Sequence, residues 1–510
     1  MIEHMGGPLG RMIESTRWSD RLSYAHDASH YLLVPDAVVK LSSTDEVAHI
    51  LRTCTNSGRR LTFRSGGTSL SGQGQSDSLL VDTRQGFRRI EVLDNGRRVR
   101  VQPGATVRQV NARLASHGFR LGPDPASEAA CTIGGVVANN SSGMICGTEF
   151  NSYRTLESMV MVLPSGSVID TSRVDADEFL SRVEPELLAG LIRLRDRVRG
   201  NPQSVGDISR QFSLKNTMGY AVNAFIDFTA PTDILAHLMI GSEGTLGFIA
   251  EATFRTIPVL PHAVTGFLVF PNLEQATAAL PGLVATGLAA IELLDARSLR
   301  VAQRDPASGR VLPDMVIDRQ AALLIEFQEM TDGALGERIA HASGLLGRLP
   351  LLMPAELTRS STLRGELWHV RKGLYAAVAG SRPSGTTALL EDVAVPVPAL
   401  ADTCQSLVTM FDRHGYEESV IFGHAKDGNI HFLLNERFDR PAAMERYAAF
   451  TDEMVDLVLG HGGTLKAEHG TGRIMAPFVR RQYGDELYEV MREVKAIFDP
   501  AGILNPGVVI

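Results

Sequence analysis

Two short stretches near the C-terminus gather groups that can hold a metal and move a proton. They are Phe422-Gly-His-Ala-Lys-Asp-Gly-Asn-Ile-His-Phe432 and Lys466-Ala-Glu-His-Gly-Thr-Gly-Arg473. The first reads as two strands joined at Asp427-Gly428, a two-residue turn favoured because glycine tolerates a positive φ. That turn sets Lys426 opposite Asn429, Ala425 opposite Ile430 and His424 opposite His431. Residues opposed on one sheet face have Cβ atoms about 4.5–5.5 Å apart, close enough for two imidazoles to share one ion. Glu468 can add a carboxylate ligand, and His469 beside it can handle a proton. Two hydrogen-bonded histidines and a surface Glu-His pair are the plainer alternative.

Such a site needs a second half, and the N-terminal region offers one. Leu61-Thr-Phe-Arg-Ser-Gly-Gly-Thr-Ser-Leu-Ser-Gly-Gln73 begins as a strand and becomes a loop rich in Gly, Ser and Thr. Its open backbone N–H groups and hydroxyls suit a diphosphate, and Arg64 adds a cation at the edge. No Gly-Lys-Ser/Thr follows and no GxGxxG fingerprint is present, which disfavours a P-loop or Rossmann nucleotide site. A second low-bulk segment runs from Gly122-Pro-Asp-Pro-Ala-Ser127 into Thr132-Ile-Gly-Gly-Val-Val-Ala-Asn-Asn-Ser-Ser-Gly143. It reads either as a surface loop or as backbone lying against a flat ligand, which small residues permit. Gly241-Ser-Glu-Gly-Thr-Leu-Gly-Phe-Ile249 is a third.

Composition narrows the class. A chain of 510 residues should hold two or more domains. Hydrophobic content of 44% and charged content of 21% are ordinary for a globular protein. A net charge of −8 argues against nucleic acid as partner and requires that an anionic substrate meet local cations. Cys54, Cys131, Cys146 and Cys404 are scattered without a CxxC, so reduced thiols are expected rather than a disulfide framework or an iron–sulfur site. No run of 18 apolar residues and no signal-peptide core are present. A cytoplasmic location follows as the expectation, with peripheral contact at the inner face of a membrane compatible with it.

The elements alternate in type. Residues 1–33 read as a polar lead-in and 32–41 as extended. Ser43 caps a helix to Ser57, with Glu46 three residues on and Gly58 as its stop. Strands are expected at Leu61–Phe63, Leu79–Asp82, Val99–Val101 and Ser158–Leu163, and a helix at Thr106–His117. Pro258 and Pro261 mark a domain boundary. After it come a strand at Val264–Phe270, a helix at Leu273–Thr286, a strand at Leu323–Gln328 and a helix at Leu335–Leu346. A helix ends at Gly460, and another, Glu486–Phe498, is broken at Asp499-Pro500.

Arg64-Ser-Gly-Gly-Thr-Ser-Leu-Ser-Gly72, Gly134-Gly-Val-Val-Ala-Asn-Asn140, Gly241-Ser-Glu-Gly-Thr-Leu-Gly247, His424-Ala-Lys-Asp-Gly-Asn-Ile-His431 and Glu468-His-Gly-Thr-Gly472 occur in this order. In that combination the chain, over about residues 30–510, resembles the vanillyl-alcohol oxidase and p-cresol methylhydroxylase flavoproteins. Within them it is most similar to the FAD-linked D-2-hydroxyacid dehydrogenases: D-lactate dehydrogenase, D-2-hydroxyglutarate dehydrogenase and the glycolate oxidase flavin subunit. The resemblance implies an α+β fold: a two-part FAD-binding domain of the p-cresol methylhydroxylase type plus an α+β substrate (cap) domain with an antiparallel sheet. The divisions would be a lead-in at 1–33, the FAD-binding domain at 34–258, the substrate domain with the metal site at 259–470, and a helical segment at 471–510 returning to the FAD domain.

By position the resemblance implies that Arg64, Ser65, Gly66, Gly67, Thr68, Ser69 and Ser71 cradle the FAD pyrophosphate. Pro123, Asp124, Ser127, Thr132, Gly134, Gly135, Asn139, Ser142 and Gly143 would line the flavin. Glu243, Gly244, Thr245 and Ile249 would complete the adenine and ribose side, and Asn505 would return to the flavin. No histidine lies between Leu61 and Gln73, so the FAD is expected to be non-covalent. His424, His431 and Glu468 would bind a divalent metal, Zn²⁺ in the first instance. His469 would be the catalytic base, Arg371 the grip on the substrate carboxylate, and Asn429 a contact to substrate or to the metal site. Leu390 stands where animal-type D-2-hydroxyglutarate dehydrogenases carry a lysine, which makes D-lactate the first choice of substrate, with D-2-hydroxyglutarate or glycolate as the alternative. Glu391-Asp392 looks more like bacterial members fused to an iron–sulfur module, and Ile510 falls where that module would begin. The expected acceptor is a quinone, a cytochrome or an iron–sulfur module rather than NAD, and the expected assembly a homodimer. A non-catalytic FAD-binding subunit and a metal-dependent hydrolase are the readings from other classes.

Overall fold

Ser43 starts the first long helix as its side chain dictates. Its hydroxyl accepts the Glu46 N–H while the Glu46 carboxylate accepts the Ser43 N–H, and Gly58 ends the helix after Ser57. These elements come from a computed structural model that describes residues 14–304, 312 and 315–510. The buried face of that helix, Val47, Ile50, Leu51 and Cys54, packs on a small sheet. In it Ala37–Lys40 and Leu61–Arg64 flank Leu79–Asp82, all parallel, and Glu14–Ser15 adds an antiparallel edge. Parallel neighbours need a crossover, and the helix supplies it. The other edge of Leu61–Arg64 is taken by the far end of the chain. Leu61 N–H donates to the Ile503 carbonyl and Asn505 N–H to the Leu61 carbonyl, both at 2.9 Å.

A second sheet is antiparallel, in the order Ile90–Leu93, Arg98–Val101, Phe248–Arg255, Leu156–Val162, Val168–Asp170. Between Asp170 and Phe248 lie helices at Ala176–Val183, Pro185–Arg199, Pro202–Gln211, Ala224–Asp227 and Pro231–Met239, where the sequence reading assigned nothing. The 132–143 segment is not simply a loop. Ile133–Asn139 is helical, buries Ile133, Val136 and Val137, and ends at Asn140 in the left-handed region. Its paired glycines are poor helix formers, but they allow close packing. A Cβ on Gly134 would lie 2.5 Å from the Pro103 side chain, and one on Gly135 3.0 Å from Ser65 Oγ.

The third sheet has seven antiparallel strands. Their order is Leu357–Thr358, His262–Phe270, Ala321–Glu329, Ala290–Leu294, Val420–His424, Asn429–Glu436, Thr387–Ala394. The single helix expected over 273–286 is two, Leu273–Ala278 and Leu280–Val284. Pro281, which lacks an N–H, starts the second. Helix Ser361–Gly380 places Arg364, Trp368 and Arg371 on one face at spacings of four and three. Arg364 and Trp368 donate to Glu326, and Arg371 to Glu292. The last helix, Val479–Phe498, starts earlier than the sequence suggested and is interrupted at Gly484.

The hairpin differs from expectation in register. Ala425–Asp427 forms a tight helical turn closed by Gly428 at φ +66°, so the connection is longer than two residues. His424 therefore faces Asn429, and His431 faces Phe422. The slip moves the pairing by two residues. Because strand side chains alternate with period two, both histidines stay on one face, with ring centroids 5.0 Å apart. Among the described residues, no helix is long and apolar enough to cross a membrane.

Candidate active site between the glycine loops and the seven-stranded sheet

A cavity of about 450 Å³ lies between the three glycine-rich segments and the seven-stranded sheet. Of the residues expected at FAD, it is lined by Arg64, Ser65, Gly66, Gly67, Thr68, Ser69, Ser127, Thr132, Gly134, Gly135, Asn139, Ser142, Gly143, Glu243, Gly244 and Ile249. Gly66 has no room for a side chain, since a Cβ there would fall 2.5 Å from the Ala130 carbonyl. The wall also carries buried polar atoms without a hydrogen-bond partner among the described residues: Arg64 Nε, Gln73 Oε1 and Glu243 Oε1. A glycine-rich cradle with unpaired polar groups fits a long, polar, partly flat cofactor such as FAD. Burial pushes Glu243 up to about 8, so it faces the cavity as a neutral acid at pH 7. Cys131 also lines the cavity, and burial lifts its thiol to about 11.

Five of the expected residues stand behind the wall rather than on it. Asp124 holds the following turn, accepting the Ile145 and Cys146 N–H groups. Thr245 Oγ1 donates to the Ser242 carbonyl. Ser71 is buried beneath Gly472, and Pro123 precedes the segment that lines the cavity. Asn505 Nδ2 donates to the carbonyls of Gln73 (2.8 Å) and Glu243 (2.9 Å), and its Oδ1 accepts Thr62 Oγ1 at 3.0 Å. It thus ties the first and third glycine segments together. Arg64 is engaged by backbone on two segments, donating to the carbonyls of Gly74, just after the loop, and His26 in the N-terminal segment.

The opposite wall is built by four adjacent strands of the large sheet. In register, Glu292 faces His424 on one pair and Asp392 faces His431 on another. His424 Nδ1 lies 2.8 Å and 3.0 Å from the Glu292 oxygens, and His431 Nδ1 3.1 Å from Asp392 Oδ1. The Glu292 carboxylate hydrogen-bonds His424 Nδ1 and orients that ring so that its Nε2 points the other way, the arrangement that supports a metal-ligating imidazole, while Asp392 lies behind His431 Nδ1 with no hydrogen bond to it. Both Nε2 atoms converge on one oxygen, Glu468 Oε1, at 2.9 Å and 3.5 Å, and His469 Nε2 approaches it at 3.9 Å. Burial alone would raise Glu468, but Lys215 and His424 hold it well below the usual carboxylate range. Burial likewise opposes charge on His424, yet Glu292 and Glu468 outweigh it and bring the ring to about 9. His431, buried and beside two other imidazoles, is held down to about 4.

Ligand atoms of Asp392, His431, Glu468 and His469 also lie within 4.8 Å of one another. Asp392 is the poorer ligand of the two candidate sets. Its Oδ2 already accepts the N–H groups of Ala467, Glu468 and His469 at 2.7–3.1 Å, and its Oδ1 accepts Asn429 Nδ2 at 2.8 Å. Asn429 therefore sits behind the wall, steadying Asp392, and does not line the cavity. The set His424, His431 and Glu468 fits a divalent metal in charge as well. Glu292, Asp392, Asp427 and Glu468 face two permanent cations, Lys215 and Arg371. With neutral imidazoles, as ligation requires, four negative charges against two positive leave two to be balanced.

His469 lines the cavity, its side chain 19% exposed. Its Nδ1 has no hydrogen-bond partner among the described residues, and its ring stacks on His431 at 5.0 Å. Its carbonyl accepts Gln73 Nε2 and Asn139 Nδ2, both at 2.9 Å, which binds this loop to two of the glycine segments. Gly470 follows at φ +81°, where a Cβ would lie within 2.9 Å of Gln73, Glu243 and Asn139. Arg371 is buried, donates from Nε to Glu292 at 2.6 Å, lies 5.1 Å from the Phe422 ring centroid, and lines the cavity beside Lys372, Tyr375 and Leu390. Glu292 and Lys215 were not singled out in the sequence. A lone carboxylate inside the apolar strand Ala290-Ile-Glu-Leu-Leu294 was the available signal for the first; nothing local marks the second.

Residues 35–172 match the family model described as FAD binding domain, and residues 260–509 match FAD linked oxidases, C-terminal domain. The chain is 28% identical over 519 residues to a D-2-hydroxyglutarate dehydrogenase of Pantoea ananatis, covering 97% of this chain and 50% of that protein. It is 26% identical over 517 residues to a D-lactate dehydrogenase of Archaeoglobus fulgidus, covering 98% of each. It is 27% identical over 496 residues to the glycolate oxidase subunit GlcD of Bacillus subtilis, covering 96% and 92%. The chain spans about half the length of the D-2-hydroxyglutarate dehydrogenases it matches. Among solved structures, p-cresol methylhydroxylase with substrate bound superposes with a TM-score of 0.67 at 14% identity, covering 97% and 93%. A 4-ethylphenol oxidase from Gulosibacter chungangensis, in an isoeugenol complex, gives 0.67 at 15%, covering 97% and 94%. At such identities these two speak for the fold alone. With both domain models matched, the chain belongs to the FAD-linked oxidases.

Proposed function

We propose that the protein oxidises a D-2-hydroxyacid, D-lactate in the first instance, to its 2-oxoacid and passes the electrons to an acceptor other than NAD. One observation carries this reading: an imidazole whose Nδ1 has no hydrogen-bond partner among the described residues, a His-His-Glu cluster and a buried guanidinium line the same cavity as the glycine segments. When bound, FAD along the glycine-lined wall supplies the two-electron acceptor, and a divalent metal on His424, His431 and Glu468 supplies Lewis acidity that lowers the pKa of a hydroxyl.

The side chains supply the rest. Arg371, held at Nε by Glu292, keeps its terminal nitrogens for a substrate carboxylate and so fixes the orientation of the carbinol carbon. His469 takes the hydroxyl proton on a ring nitrogen, and the Asp392 carboxylate, 3.6 Å from its Nδ1, offsets the charge that develops. Leu390 and Phe422 give the substrate side chain an apolar wall, which suits a methyl group. The D configuration is supported by the names of the relatives. Lys372, on the same cavity, supports a second reading in which a D-2-hydroxyglutarate side chain is paired there. A quinone, a cytochrome or an iron–sulfur module is the acceptor class. A homodimer in peripheral contact with a membrane completes the proposal.

The test is anaerobic mixing of the yellow protein with D-lactate, L-lactate, glycolate and D-2-hydroxyglutarate. D-lactate should bleach the flavin absorbance fastest and L-lactate leave it unchanged. D-2-hydroxyglutarate bleaching fastest would favour the Lys372 reading. Bleaching by none of them would refute the proposal and favour a subunit that keeps FAD without this chemistry.

A further inference from the structure

Lys215 lies outside the cavity, between the helices Pro202–Gln211 and Ala224–Asp227, with its side chain 1% exposed. A buried ammonium needs acceptors for its three protons. It donates to the Gly143 carbonyl at 2.7 Å, and reaches Asp427 Oδ2 at 3.1 Å and Glu468 Oε2 at 3.3 Å. Each partner belongs to a different part of the site. Gly143 is on the glycine-lined wall, Asp427 is in the turn of the hairpin that carries His424 and His431, and Glu468 precedes His469. The residues after Lys215 join the same loop: Thr217 N–H donates to the Lys466 carbonyl at 2.8 Å, and Gly470 N–H to Thr217 Oγ1 at 3.1 Å.

The two oxygens of Glu468 are treated differently. Oε2 is taken by Lys215 and by Ser142 Oγ, the latter at 2.8 Å. Oε1 is left facing His424 Nε2 and His431 Nε2. We propose that Lys215 is a positioning residue that, with Ser142, makes Glu468 a one-oxygen ligand, so that a divalent cation in this cluster has three protein ligands and an open position for a hydroxyl oxygen. Three ligands and one open position is the pattern of catalytic rather than structural zinc. A carboxylate free to turn would offer both oxygens and fill that position itself. The inference rests on the metal reading above and deepens it.

The experiment uses the full FAD-loaded chain, stripped of metal and titrated with Co²⁺, whose visible bands weaken as coordination number rises. The bands are read at wavelengths beyond the flavin absorption. In Lys215→Met, which keeps the length of the side chain without its charge, the Co²⁺ absorptivity should fall about twofold or more. FAD content serves as the control for folding. An unchanged Co²⁺ spectrum in folded, yellow K215M overturns the proposal whatever the affinity. If K215M is not recovered folded, Ser142→Ala carries the test instead: it removes the shorter of the two donors to Oε2 and leaves Lys215 alone on it, so the Co²⁺ absorptivity should fall by a smaller step, and an unchanged spectrum overturns the joint hold of Ser142 and Lys215 on that oxygen. Absence of Co²⁺ binding in the unsubstituted protein would overturn the metal reading itself and this inference with it. Normal Co²⁺ binding that K215M does not alter would overturn only the role of Lys215.

Discussion

Glu292 is fully buried and serves two partners at once, Arg371 Nε at 2.6 Å and His424 Nδ1 at 2.8 Å and 3.0 Å. Glu292→Gln keeps the shape and removes the charge. An amide offers one acceptor oxygen where the carboxylate offers two, so one cation is left against an N–H donor. Breaking a buried pair on one side costs about 3–5 kcal/mol, and retention of one hydrogen bond brings the expected loss to about 2–4 kcal/mol. Two functional losses should accompany it. Metal affinity should fall roughly 10- to 100-fold, because Glu292 orients the imidazole of His424, the ligand proposed above. KM for the hydroxyacid should rise by roughly tenfold or more, because Arg371 loses the partner that aims it. The assay pairs thermal unfolding with metal titration and steady-state kinetics, using Glu326→Gln as control. Glu326 is also buried, at 2% exposure, and is also paired to helix Ser361–Gly380, through Arg364 and Trp368, but it does not line the cavity. E326Q should lose stability and keep both metal affinity and KM. If E292Q behaves like E326Q, Glu292 is a structural ion pair and its assignment to the site is wrong.

Three further outcomes are expected. His469→Ala should keep FAD and metal but slow anaerobic flavin reduction by about 10²- to 10⁴-fold, the usual contribution of a general base; reduction at the original rate would remove His469 from that role. Glu243→Gln should alter the pH dependence of stability. Glu243 is raised from about 4.5 to about 8 by burial, so the folded chain keeps the proton that the unfolded chain releases, and stability falls as pH rises across that interval. The glutamine variant lacks that loss, so its melting temperature relative to the parent should rise between pH 5 and pH 9, with FAD in excess at both; a constant difference would count against a buried neutral acid. Asn505→Ala removes three buried hydrogen bonds, at about 1 kcal/mol each or more where a partner is left unpaired. It should lower the melting temperature and weaken FAD retention on dialysis, whereas full retention would make the tail contact dispensable to the cofactor.

The hairpin shows why the candidate site could be read from sequence although its details could not. The turn at Asp427-Gly428 was placed two residues out of register, yet a slip of two keeps every side chain on its face, so the convergence of His424 and His431 survived the error. Pairing across strands distant in sequence was not legible. That Glu292 would lie opposite His424, and Asp392 opposite His431, depends on a strand order that brings residues 290–294, 420–424, 429–436 and 387–394 together. Local cues served where local physics decides: the capping box at Ser43 and Glu46 was readable. They failed at Ile133–Asn139, where two glycines argue against a helix and packing on Pro103 and Ser65 requires them. Lys215 is the extreme case, since all three of its partners are remote in sequence.

The pairing of the chain's far end with the strand Leu61–Arg64 bears on the order of biosynthesis. Thr62 and Asn505, which share a hydrogen bond, are 443 residues apart. A ribosome exposes the first glycine loop long before it makes the residues that close its edge and tie it to the third. The nascent cofactor half therefore waits with an unpaired strand edge, a state prone to association with other chains. A chain truncated after Glu468 would keep His424, His431 and Glu468 but lack the residues that close the edge of Leu61–Arg64 and tie the first glycine loop to the third.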